Sequence, residues 1–86
     1  AGRMNGVVVR ALREPTAQTR FDTAVYHATR RHGWVSVRRL VRILRAGVIE
    51  NATPEAVRAA LLRMAAIGVA RRRVRLWSPV EKWEIQ

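Results

Sequence analysis

Eighty-six residues, 49% of them hydrophobic, suffice for one small domain around a single core and exclude both a multi-domain chain and a wholly disordered one. Seventeen basic residues against six acidic give a net charge of +11, which points to a polyanionic partner, phosphate backbones first. The sequence contains no cysteine, which rules out disulfides and zinc–thiolate sites within it, and no apolar run approaches the ~18 residues that span a membrane.

Sixteen of the basic residues are Arg and one is Lys. Part of that bias is what GC-rich coding produces. An acidic membrane surface would also attract the charge. A membrane-surface helix, however, carries a wide apolar face that no other element covers. Here at least three elements have apolar faces that need one another. Residues 1–6 lack a signal-peptide core, so a cytoplasmic, nucleoid-associated location is the expectation.

Residues 1–16 read as a lead followed by a strand. Val7-Val8-Val9-Arg10-Ala11-Leu12 favours an extended conformation, able to pair with another edge of the domain or with a second subunit. Pro15 ends it. A helix is expected over residues 17–31, with Phe21, Ala24, Val25, Ala28 and His32 toward the core. Arg20, Thr23, His27 and Arg30 then face solvent. Arg30, Arg31 and His32 suit the negative end of the helix dipole, and Gly33 stops the helix. His27 and His32 have no carboxylate cluster beside them, so no metal site is expected.

Trp34-Val35-Ser36 reads as a short strand, and Ser36 as the cap of a second helix over residues 37–46. Val37, Leu40, Val41 and Leu44 form its apolar stripe. At about 100° per residue, Arg38, Arg42 and Arg45 share one flank and Arg39 lies nearly opposite the stripe. A solvated helix ordinarily mixes signs at three- and four-residue spacing. This one carries four Arg and no acid, an arrangement that a nearby polyanion would relieve. Gly47 ends the helix, and residues 47–52 form a turn longer than that of a tight helix-turn-helix, with Val48 and Ile49 packing downward.

The third helix carries the clearest start signal: Thr53 as cap, Pro54 at the first position and Glu55 at the positive end of the dipole. Val57, Ala60, Leu61, Met64 and Ile67 form the expected core face. Arg58 and Arg63 sit on its shoulders. Its outermost face, Glu55, Ala59, Leu62 and Ala66, is poor in the Arg, Lys, Asn and Gln that read base edges. Gly68 stops the helix. A hairpin follows, with Arg71, Arg73, Arg75 and Trp77 on one face and Arg72, Val74 and Leu76 on the other. Ser78-Pro79 is the expected turn. On the return, residues 80–85, Trp83 and Ile85 point to the core and Glu81 and Glu84 are available to arginine.

The run Val57-Arg58-Ala59-Ala60-Leu61-Leu62-Arg63-Met64-Ala65-Ala66-Ile67-Gly68-Val69 resembles the end of a bacterial repressor recognition helix, with Met64 in place of the second Leu. With the element order around it, residues 17–86 resemble the winged helix-turn-helix superfamily. The resemblance implies a mostly α fold of three helices plus an antiparallel wing, to which the strand read from the valines at residues 7–12 would be an addition. It also implies a third helix in the major groove and a hairpin on the backbone or minor groove, which brings in Thr53, Arg58, Arg63, Arg71, Arg73 and Arg75. With Arg38, Arg39, Arg42 and Arg45, these are the candidate nucleic-acid contacts.

The expected partner is double-stranded DNA, bound by a transcriptional regulator or DNA-maintenance factor. RNA binding is the alternative, with Trp77 and Tyr26 as the aromatics available for stacking. A third reading is a protein-interaction module or homodimer, built through residues 7–12 or the Ala/Leu face of the third helix. No enzyme is expected: there is no glycine-rich phosphate loop, no Cys nucleophile and no carboxylate cluster, and no cofactor is called for.

Overall fold

Three side-chain oxygens start three helices in the computed structural model, which describes residues 16–47 and 49–86. Thr16 Oγ1 accepts from the Thr19 amide at 3.1 Å and opens α1 (Ala17–His32). Ser36 Oγ accepts from the Arg39 amide at 3.2 Å and opens α2 (Val37–Ala46). Thr53 Oγ1 accepts from the Ala56 amide at 3.2 Å and opens α3 (Pro54–Ala66). Each satisfies one amide that the first helical turn leaves without a partner. The short strand β1 (Val35–Ser36) lies between α1 and α2, and the hairpin β2 (Ala70–Arg75) and β3 (Ser78–Ile85) closes the chain.

The architecture is mostly helical with a small antiparallel sheet, in a winged-helix-like arrangement. Strand order is β1-β3-β2. Val35 lies opposite Trp83, and Arg72 lies opposite Trp83 from the other side. The helices pack on one another, and the sheet packs on them through Trp83, Val35 and Ala70. Trp83, Leu40, Leu61, Val25, Val35 and Val57 are the largest fully buried apolar side chains. The expected strand at residues 7–12 and the packing of Val48 lie outside the described residues.

Helix boundaries agree with the sequence to within one residue, and most of the core does too. Three details differ. Thr29, on no expected stripe, is fully buried; its hydroxyl donates to the Val25 carbonyl at 2.6 Å, which removes the penalty of burying it. Ile67, expected in the core, is 76% exposed. The chain leaves the helix there: the Gly68 amide donates to the Ala65 carbonyl at 3.1 Å and the Val69 amide to the Met64 carbonyl at 2.8 Å. That is the Schellman pattern, and it carries Val69 rather than Ile67 down onto the core.

The third difference is the hairpin turn. It is Leu76-Trp77, not Ser78-Pro79, because Arg75 pairs with Ser78. Pro79 then sits within β3, where its missing donor is harmless: β1 reaches only Ser36, opposite Lys82. The pairing is irregular between Arg73 and Arg75, where the partners jump from Lys82 to Ser78. Such an irregularity bends and twists the hairpin toward its tip.

Candidate nucleic-acid interface

The ten candidate residues fall into three groups once folded. The first is α2. Arg38, Arg39 and Arg42 are exposed and have no acidic partner among the described residues. Arg38 also lines a groove of about 400 Å³ with Ser36, Val37, Arg58, Val80 and Glu81, where α2, α3 and the hairpin meet. Arg45 serves the fold: its Nε donates to the Ala52 carbonyl at 2.8 Å and ties the end of α2 to the turn before α3.

The second group is α3, and its arginines are tied to acids. Arg63 places Nε 3.1 Å from Asp22 Oδ2 and a terminal nitrogen 2.7 Å from Oδ1, a two-pronged bond to α1. Hydrogen bonding to Asp22 raises the Arg63 guanidinium above its already high ordinary pKa. Arg58 lies with Nε 3.3 Å from Glu81 Oε1. Thr53 is engaged as the helix cap. The outward face between the shoulders offers Ala59, Ala66 and Leu62, the last 42% exposed.

Glu81 is shared. Arg72 approaches its Oε2 at 3.4 Å, and the indole Nε1 of buried Trp83 donates to its Oε1 at 2.9 Å. One carboxylate therefore links α3, both hairpin strands and the core tryptophan.

The third group is the hairpin's outer face. Trp83 points inward, so Lys82 and Glu84 point outward, opposite Arg73 and Arg71 respectively. Arg71 forms an ion pair with Glu84. The Arg73 guanidinium lies 4.3 Å from the centre of the Trp34 ring, and that of Arg71 5.5 Å from it. The Arg75 guanidinium lies 5.4 Å from the centre of the Trp77 ring. These distances are those of cation–π contacts. Arg73, Arg75, Trp77, Ser78, Val80 and Lys82 enclose a concavity of about 200 Å³ with no acidic residue in its lining.

The structure thus brings Arg71, Arg73 and Arg75 to one face, as the alternation predicts. It sets Arg58, Arg63 and Arg71 against acids and leaves Arg38, Arg39 and Arg42 open. Two residues of the outer face were missed. Trp34 read only as a strand former, and its position under two arginines depends on β1 joining β3. Lys82 needed the hairpin register. No group of metal-ligating side chains occurs among the described residues, and no helix there is long and apolar enough to cross a membrane. No family model, curated protein or solved structure matches the chain.

Proposed function

We propose that this chain is a DNA-binding module that grips the duplex phosphate backbone through α2. One observation carries the reading. Arg38, Arg39 and Arg42 crowd the exposed face of one short helix with no acidic partner among the described residues, while Arg63 and Arg71 pair with Asp22 and Glu84, and Arg58 and Arg72 share Glu81. Like charges at four-residue spacing, as in Arg38 and Arg42, destabilise a helix, and a row of phosphates would reverse the sign of that term. The winged-helix-like arrangement supports the same reading.

The binding is backbone-tracking more than base-reading. Arg58 and Arg63 are occupied by Glu81 and Asp22, and the outward face of α3 has no bidentate donor to set against a base edge. Such a module suits DNA maintenance or an architectural role in the nucleoid.

The test is a titration of random-sequence duplex at several salt concentrations, for the wild type and for Arg38→Ala with Arg42→Ala. Each lost phosphate contact flattens the slope of log affinity against log salt by about 0.9, so the double variant loses roughly two. Its melting temperature should stay level or rise, since a repulsive pair is gone. An unchanged salt slope, or wild-type protein that ignores duplex, overturns the reading.

A further inference from the structure

We infer that the outer face of the sheet is a second nucleic-acid site, shaped for an unpaired nucleotide: phosphate on Arg73, Arg75 and Lys82, base on Trp77. The inference stands apart from the duplex reading, since it uses different residues and a different face.

Three observations converge on it. Arg73 and Lys82 are directly opposed in an antiparallel pair. Like charges so placed destabilise a sheet. The nearest acid on the face, Glu84, is held by Arg71. An anion between Arg73 and Lys82 would turn that repulsion into attraction. Second, Trp77 is 77% exposed at the hairpin turn, beside Leu76 at 104%. A tryptophan left in water at a loop tip gains nothing from burial, whereas its ring is a ready stacking surface for a base. Third, these residues share one concavity of about 200 Å³, with Ser78 and Val80 at its wall.

The face is also partly pre-ordered. Trp34 is half-buried, and the Arg73 guanidinium lies over its ring, 4.3 Å from the centre. That contact holds Arg73 over the sheet rather than free in solvent, and the outer side of a guanidinium can itself stack on a base. A positive groove interleaved with aromatic rings is the pattern of single-strand binding. A paired base in a duplex offers no free ring face to Trp77, so the aromatic contact selects unpaired nucleotides over duplex.

The experiment compares labelled oligo(dT) and oligo(U), each about 12 nucleotides and within the range of single-strand site sizes, with a duplex of equal length. The proteins are the wild type, Trp77→Ala, Trp77→Phe, Lys82→Ala and the Arg38→Ala/Arg42→Ala double variant. Trp77→Ala should weaken single-strand binding roughly 5- to 150-fold, the range that loss of one stacked base implies, and leave duplex affinity within about twofold. Trp77→Phe should recover part of the loss. Lys82→Ala should weaken single-strand binding without lowering the melting temperature. The α2 double variant should do the reverse, losing duplex and keeping the single strand, so failure of either reading shows independently. The two oligonucleotides separate a deoxyribose strand from a ribose strand as the preferred source of the same chemistry. Single-strand binding that ignores Trp77→Ala overturns the inference. So does an equal loss for duplex, or displacement of oligo(dT) by polyglutamate as readily as by unlabelled strand.

Discussion

Arg63 reaches from α3 to α1 and closes a two-pronged bond on Asp22, with nitrogen–oxygen distances of 3.1 and 2.7 Å. The pair joins the third helix to the first at a partly exposed site, so solvent screens it. Bidentate geometry puts it near the top of the range for exposed pairs, about 1 kcal/mol. Arg63→Ala and Asp22→Ala should each lower stability by about that much, and the double variant by little more than either. A double-mutant cycle in urea checks this, with a coupling energy near zero as the contrary result. The two single variants should part company in binding. Asp22→Ala frees a guanidinium and should raise duplex affinity, while Arg63→Ala should leave it nearly unchanged.

Much of this fold is legible in the sequence because its helix signals are local. Ser36 and Thr53 each stand one residue before a periodic run, and the caps they make depend on nothing distant; Thr16, which caps the first helix, does not stand out beside Pro15. Gly33 and Gly68 mark helix ends for the same reason. The hairpin register is less legible. A turn at Ser78-Pro79 would set Arg73 against Glu84 and Arg75 against Lys82. The turn at Leu76-Trp77, together with the irregularity between Arg73 and Arg75, instead sets Arg71 against Glu84 and Arg73 against Lys82. A shift by two residues preserves which face each side chain occupies, so the alternation is right while the partners are wrong. The candidate site was legible as a set of arginines. Their division into paired and open ones was not, since Asp22 and Arg63 lie 41 residues apart and meet only through helix packing.

The two glycine stops should respond differently to a side chain. Gly68 has φ +80° and no heavy atom within 4 Å of where a Cβ would sit, and the same space is open at Gly33, with φ +67°. Strain in either Ala variant is therefore backbone strain alone. Gly68 ends a Schellman motif, a left-handed position that Asn tolerates, so Gly68→Ala should cost about 1 kcal/mol and Gly68→Asn less. Gly33 combines its positive φ with ψ −135°, outside the left-handed helical well and close to a region that glycine alone visits. Gly33→Ala should cost more, on the order of 2 kcal/mol, and Gly33→Asn should recover little of it. Thermal melts of the four variants read the order directly. Equal losses at the two positions would remove the distinction.

Glu81 couples the stability of the hairpin to the charge it presents. Its carboxylate accepts from Trp83 Nε1 at 2.9 Å while facing Arg58 and Arg72. Glu81→Gln keeps an acceptor for the indole and removes the negative charge. It should cost stability by no more than about 1 kcal/mol, because both arginines are half exposed and their pairing is screened. Glu81→Ala also leaves a buried indole N–H without a partner, a further loss of about 1–3 kcal/mol. Function should move the other way. With Glu81→Gln, Arg58 and Arg72 become free cations; Arg58 borders the groove that Arg38 also lines. Duplex binding should tighten and its salt dependence steepen, by about 0.9 for each new phosphate contact. If Glu81→Gln instead leaves both affinity and salt slope unchanged, the groove between α2, α3 and the hairpin does not lie against the duplex, and the grip belongs to the outward side of α2 alone.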